Sequence, residues 1–256
     1  MKIKKAAGIL GYGEIGKAVA KINKEAGYII YIRELEYDEI KGKKIDFLHV
    51  NIPEKNNKEF INLVAVNIKE LNPKLTIINS SVSPGTTKKI YKLTNSLIVH
   101  SPVIGVHPHL YESIKNIFPK IIGPTSKKSL EKAKKHFKIL GLKTEIYKSS
   151  DESESAKLLD LVYYAWNIIF CKWVKEFCDK KDLNFDDIYT RHNKIYNEGY
   201  KSLRPNVTRP ILKPIPGVIG GHCTMPDTII FDKYYKNRFT KFILKEDEKY
   251  KKDKLA

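Results

Sequence analysis

Gly11, Gly13 and Gly16, in the run Gly11-Tyr12-Gly13-Glu14-Ile15-Gly16, are the first residues whose spacing has chemistry to offer. The run follows an apolar stretch that predicts a strand and opens one that predicts a helix. That order suits the pyrophosphate of a dinucleotide. The first glycine permits the tight turn, the second lets backbone approach the phosphates, and the third lets helix and strand pack closely. The helix start, at Glu14 and Ile15, then offers unpaired N–H groups and a favourable dipole to the anion. Glu34 lies 18 residues beyond Gly16, where a carboxylate accepts hydrogen bonds from both ribose hydroxyls and repels the extra phosphate of NADP. Arg33 beside it would do the opposite, so NAD is the expected cofactor and NADP the less favoured one. Pro53, just past the third expected strand, is a further candidate for the cofactor site.

Cysteine and charge bound the rest. Three cysteines, Cys171, Cys178 and Cys223, are too few and too widely placed for a disulfide framework. Cys171 and Cys178 fall in an expected helix as small core residues, whereas Cys223 sits among glycines. No metal-ligating cluster is expected. No apolar run approaches the roughly 18–20 residues that span a bilayer. The basic start, Met1-Lys2-Ile3-Lys4-Lys5, leads into a strand and turn rather than a signal peptide, so a cytoplasmic location is expected. The net charge of +18 invites a nucleic-acid reading. The lysines, however, are spread along the whole chain, and no helix-turn-helix, zinc-finger or RNP motif accompanies them. They read as solvated faces, with an anionic small molecule a better complement than nucleic acid.

The elements that must position these residues follow from the hydrophobic pattern. Short apolar runs predict strands over 6–10, 28–33, 46–51, 75–79, 96–100, 121–123 and 144–147. Amphipathic stretches over 14–26, 58–71, 86–93 and 126–140 predict helices between several of them. Strands alternating with helices imply an α/β fold, a doubly wound parallel sheet of Rossmann type over residues 1–149. From Asp151 to about Lys180 there is neither Pro nor Gly, and Leu158, Leu161, Val162, Ala165, Ile168 and Ile169 recur at helical spacing. A helix of ~30 residues is ~45 Å long, a length that bridges domains or builds a homodimer interface. Residues 150–256 are therefore expected to form a mainly helical substrate and dimerisation domain around that helix. A second helix is expected near 185–200, a Pro/Gly-rich loop over 203–226, an amphipathic segment over 228–244 and a fraying charged tail over 245–256.

Four segments, in order, resemble the UDP-glucose/GDP-mannose (nucleotide-sugar) dehydrogenase family over about residues 5–230. They are the glycine turn; Asn79-Ser80-Ser81-Val82-Ser83-Pro84-Gly85-Thr86-Thr87; Glu154-Ser155-Ala156-Lys157; and Pro216-Gly217-Val218-Ile219-Gly220-Gly221-His222-Cys223. The last is the most specific, because Gly-Gly-His-Cys is hard to explain as packing. The resemblance implies that an alcohol is oxidised twice with NAD: a cysteine attacks the aldehyde, hydride leaves the thiohemiacetal, and water hydrolyses the thioester. It implies Cys223 as nucleophile, Lys157 as the charge that supports the thiolate and the oxyanion, and Asp227 for the hydrolytic water. Ser81 stands where the family holds a water or a substrate oxygen through a threonine.

The match also breaks. The family has an asparagine four residues after its lysine, where this chain has Leu161, and Ser-Pro-Glu where it has Ser101-Pro102-Val103. His107 is a candidate acid–base group in place of the missing carboxylate, since histidine titrates near neutral pH. Family members continue into a third domain that grips the nucleotide of the substrate, whereas this sequence stops soon after the cysteine loop. A different small-molecule substrate or a pocket completed across a dimer is then expected. Two other readings stay open: a single hydride transfer like that of the β-hydroxyacid dehydrogenases, which Ser80–Pro84 also resembles, and a non-catalytic NAD-binding protein.

Overall fold

Short apolar runs that do not alternate with polar residues become strands buried on both faces. The computed structural model, which describes residues 5–220 and 223–253, places seven strands, the inner ones buried and the edge strands β2 and β7 partly exposed: β1 (Ala6–Leu10), β2 (Ile29–Arg33), β3 (Phe47–Val50), β4 (Leu75–Ile78), β5 (Ile98–His100), β6 (Lys120–Pro124) and β7 (Thr144–Ile146). Every one was legible from the sequence to within two residues. The chain divides into two compact units, residues 1–157 and 158–256.

In the first unit the strands form one sheet in the order β2-β1-β3-β4-β5-β6-β7. The helices α1 (Glu14–Glu25), α2 (Asn57–Leu71), α3 (Thr86–Thr94), a short turn α4 (Leu110–Glu112) and α5 (Lys127–Ile139) connect or cover them. Ile9, Ile22, Ile77 and Phe137 fill the core on one side of the sheet. Leu10, Leu48, Val64 and Ile90 fill the other, so the sheet is covered on both faces as expected. The strands from β2 to β5 are parallel. One feature corrects the expectation of a parallel sheet throughout: β6 runs antiparallel to β5, and β7 follows β6. The connection after β5 holds only α4 and a π-helical turn, Ser113–Ile117, and no crossover helix long enough to carry the chain back to the end of the sheet where β5 begins.

The second unit is helical. α6 (Ser150–Lys180) begins in the first unit and continues here, followed by a π-helical turn (Asp186–Arg191), α7 (His192–Tyr200), a short 3-10 turn (Pro205–Val207), α8 (Thr224–Tyr234) and α9 (Arg238–Asp253). Val162, Ala165 and Ile169 of α6 pack with Ile219, Ile243 and Tyr250, while Cys171 and Cys178 are buried with Val174 and Tyr189. The segment expected as one amphipathic helix over 228–244 is two: α8 stops at Tyr234, and Asn237 caps the next, its Oδ1 accepting from the N–H groups of Phe239 and Thr240, each at 2.9 Å. The tail expected to fray is helical to Asp253, held by buried Asp247 and Tyr250; residues 254–256 lie outside the described residues. No helix among the described residues is long and apolar enough to cross a membrane.

The first turns of α6 are set against the sheet by close contact. A Cβ on Gly123 would sit 2.0 Å from Ser153 Oγ and 2.9 Å from the Ser149 carbonyl, so glycine alone lets helix and strand approach. Gly123→Ala is expected to destabilise the protein by about 1–3 kcal/mol in urea unfolding. Gly199→Ala, on α7 with open space around its Cβ, is expected to be neutral or stabilising by up to about 1 kcal/mol.

Candidate active site

The glycine turn leaves β1 at the point where strand order reverses, between β1 and β3, which is where open α/β sheets bind ligands. Gly11 has φ of 89°, and a Cβ there would lie 2.9 Å from the Asn51 carbonyl carbon beyond β3. A Cβ on Gly16 would lie 2.1 Å from the Gly11 oxygen, so helix α1 can begin this close only with glycine. Gly13 is different: nothing lies within 4 Å of its Cβ position, and it caps α1 without any side chain bonding the first N–H groups. Its open side and the bare helix end form a cradle for an anion. Ile15 packs against the core, while Glu14 points its carboxylate to His107 Nε2 at 2.7 Å. His107 is thus placed at the mouth of the glycine turn. Pro53 is exposed past β3.

Glu34 and Arg33 are separated by their partners. Glu34 folds back over the turn and accepts from the backbone N–H of Tyr12. Arg33 is drawn away: it makes two bonds to Glu70 at 2.8 and 2.9 Å, one to Asn67 at 2.6 Å and an ion pair with Asp38 at 2.9 Å. These hydrogen bonds, to Glu70 first, raise its pKa.

The loop carrying Ser81, between β4 and α3, is held by two buried carboxyl groups. Glu54 accepts from Ser83 N–H at 3.0 Å, Asn57 Nδ2 at 2.9 Å and Thr86 Oγ1 at 3.3 Å, and also from the Ser83 hydroxyl. Glu154 accepts from the N–H groups of Gly85 at 2.6 Å and Thr87 at 2.8 Å, at the amino end of α3. Burial pushes the Glu154 carboxyl up to about 8 against the lowering effect of these hydrogen bonds. One helical turn after Glu154 comes Lys157, half-buried.

Around Lys157 lies a polar cluster that sequence reasoning missed. Lys120 opens β6 and is buried, with Nζ donating to Asn79 Oδ1 at 2.9 Å, to the Pro102 carbonyl at 3.2 Å and to the Ser101 carbonyl. Three acceptors use the three protons of an ammonium. Burial first, and then the charge of Lys157, lower its pKa to about 7. Asn79 in turn donates to Asn51 Oδ1 at 3.0 Å, and Asn51 Nδ2 lies 3.4 Å from the Gly11 carbonyl oxygen, so the cluster reaches the glycine turn. His100 Nε2 donates to the Ser80 carbonyl at 3.1 Å, which leaves Nδ1 to accept from Ser153 Oγ at 2.7 Å. Burial brings His100 down to about 3, so the ring is neutral. Val103, at the position of the missing carboxylate, is packed into the core.

In the second unit Cys223 is exposed at the amino end of α8, and its carbonyl accepts from Asp227 N–H at 3.0 Å. Asp227 is buried in the first turn of that helix. Gly221 and His222 of the Gly-Gly-His-Cys run lie outside the described residues. Among the described residues no group of His, Cys, Asp and Glu is arranged to hold a metal ion.

Sheet order, crevice and glycine turn together define a Rossmann-type α/β protein. The chain is 36% identical over 158 residues to a UDP-N-acetyl-D-mannosamine dehydrogenase of Methanococcus maripaludis, covering 60% of this chain and 33% of that protein. It is 34% identical over 137 residues to a UDP-glucose 6-dehydrogenase of Campylobacter jejuni, covering 49% of this chain and 33% of the relative. The fold matches a UDP-D-ManNAc dehydrogenase of Pyrococcus horikoshii with a TM-score of 0.79 over 96% of this chain and 68% of the other, at 18% identity. It also matches a 3-hydroxyisobutyrate dehydrogenase of Mycobacterium tuberculosis with a TM-score of 0.67 over 98% and 95%, at 13% identity. No family model matches. Over the matched residues the chain is similar to part of two nucleotide-sugar dehydrogenases, and the match spans about a third of the length of these curated relatives.

Glu154 generates a test. Its folded pKa, near 8, lies above the ordinary 4.5, so the native state holds the proton more tightly than the unfolded chain does. Its contribution is full below the ordinary value and lost as pH rises toward 8. Urea unfolding across that range should show stability falling with pH in the wild type and a flatter profile in Glu154→Gln. Identical slopes would contradict the assignment.

Proposed function

We propose that this protein is an NAD-dependent dehydrogenase that oxidises the alcohol or aldehyde carbon of a sugar-like substrate, a nucleotide sugar being the leading class. The observation that carries the reading is the glycine turn, with its tight approaches at Gly11 and Gly16 and open side at Gly13. Those residues fit a dinucleotide: a pyrophosphate would lie against Gly13 and the bare N–H groups of Glu14 and Ile15. Glu34 would take the ribose hydroxyls, and the occupation of Arg33 by Glu70, Asn67 and Asp38 favours NAD over NADP, since no free guanidinium remains there for a second phosphate. Bound NAD supplies the hydride acceptor. His107, through Glu14, acts on the cofactor side rather than as the acid–base group.

The remaining roles rest on the family resemblance and on local chemistry. Lys157 stabilises negative charge developing on the substrate oxygen; its ammonium is the outer member of the pair with buried Lys120. Ser81, on a loop fixed by Glu54 and Glu154, orients a water or substrate oxygen. Cys223, at a helix amino end where a thiolate is favoured, adds its sulfur to the aldehyde carbon, and Asp227 holds the water that releases the acid. The small number and wide spacing of the cysteines fit a reducing, cytoplasmic setting. An exposed stripe on α6, Leu159, Tyr163, Phe170, Trp173 and Phe177, recurs at helical spacing and supports a homodimer built on that helix.

The test follows NAD reduction with a panel of nucleotide sugars and small hydroxyacids, comparing wild type with Cys223→Ala. Acid formation from a nucleotide sugar should fall about 1000-fold or more in the variant. Turnover of a hydroxyacid by both proteins would move the function to single hydride transfer.

A further inference from the structure

Residues 208–220, which precede the cysteine, contain no helix or strand, yet over 215–219 the backbone is held at three points. Lys172 lies on the buried stripe of α6, one step on from Leu158, Val162, Ala165 and Ile169, and is itself only 7% exposed. Its ammonium donates to the carbonyl of Gly217 at 2.6 Å and to that of Ile215, and stands 4.6 Å from the centre of the Tyr250 ring. Gly217 has φ of 87°, a conformation that glycine alone adopts cheaply, and this sets where its carbonyl points. Two residues on, the N–H of Ile219 donates to Asp247 Oδ1 at 3.1 Å, and the Ile219 side chain is buried against Val162, Ala165 and Ile169. Asp247 is 2% exposed and pairs with Lys251 at 2.9 Å, while the Tyr250 hydroxyl donates to Glu176 at 2.8 Å. All of these groups belong to the second unit.

A buried lysine is costly, and packing alone would be better served by Leu or Met. Its polar atoms are accounted for by two carbonyls of one loop. Among the described residues no carboxylate is within ion-pair distance of it, although Glu176 and the Cys171 thiol act on it through space and the Tyr250 ring covers it. Lysine at this position therefore serves the loop.

We propose that Lys172 is a positioning residue for the cysteine loop: together with Asp247 it fixes residues 215–219 and thereby sets the point at which Cys223 enters α8. The inference rests on the reading of Cys223 as nucleophile. A thiol held at a helix amino end gains from its dipole and free N–H groups, and a thiol released from it does not. The helix α9, with Asp247 and Tyr250, then belongs to the apparatus that presents the thiol.

The experiment measures the rate of Cys223 alkylation by iodoacetamide against pH in the whole protein; Cys171 and Cys178 are buried and do not compete. In wild type the half-maximal rate should fall below the value of ~8.5 of a free thiol. Lys172→Met should move it upward by about half a unit or more and slow labelling near neutrality about threefold. Lys172→Arg, which keeps the charge and the donors, should restore most of the wild-type profile. Asp247→Ala, which frees only the Ile219 N–H, should shift it in the same direction and stands in if Lys172→Met does not fold. An ordinary profile in wild type, or an unchanged one in folded Lys172→Met or in Asp247→Ala, overturns the inference. Acid formation by Cys223→Ala separately tests the nucleophile, so an inactive Cys223→Ala beside an unshifted Lys172→Met profile would reject the positioning role alone.

Discussion

A carboxyl group buried at the amino end of a helix is unfavourable unless the helix supplies its unpaired N–H groups, and here burial keeps it protonated up to about pH 8. Glu154 meets that condition at α3, and much of the first unit depends on it. The bond fixes the amino end of α3, and with Glu54 it fixes the loop that carries Ser81. It also locks the first turns of α6, where Ser153 reaches His100 and crowds Gly123. Lys157, one turn on, inherits its place from those contacts. The same residues would serve no purpose as a packing device alone, because an apolar pair would join the two helices at less cost.

The polar interior is continuous where a Rossmann sheet is ordinarily apolar. Lys120, Asn79 and Asn51 lead from the turn after β5 to the Gly11 carbonyl through hydrogen bonds between side chains and backbone. Each buried polar atom in this path has a partner, which is the condition under which such a path holds one arrangement rather than several. The second unit repeats the device: Lys120 gathers the carbonyls after β5, and Lys172 gathers those of the cysteine loop. In both places a buried ammonium gives a segment without regular hydrogen bonding a fixed course.

Much of this was legible in the sequence. Strands and helices declared themselves by apolar runs and periodicity, and the glycine turn by its position between a strand and a helix. The antiparallel turn of β6 was not legible, because an apolar run has no direction; only the shortness of the helical content between β5 and β6 signals it. The lysine-rich end of α9 looked like a fraying tail, since charge dominates its composition and its buried contacts, Asp247 and Tyr250, lie far away in sequence from the loop they hold. Lys120 and Lys172 were hidden for a different reason: in a chain of 47 basic residues, one more lysine attracts no notice. Their signal was placement, one opening an apolar strand and the other on the apolar stripe of α6. Partners such as Glu54 and Asn67 depend on tertiary contact and carry no local mark.

Calorimetric titration with NAD and NADP tests most directly the proposal that the glycine turn is a dinucleotide cradle. NAD should bind with a dissociation constant in the micromolar range and NADP about tenfold or more weakly. Gly13→Val, whose side chain meets open space in the protein alone, should abolish binding while leaving thermal unfolding within a few degrees of wild type. Absence of any binding heat or thermal stabilisation with either dinucleotide, or equal affinity for NAD in Gly13→Val, would contradict the account.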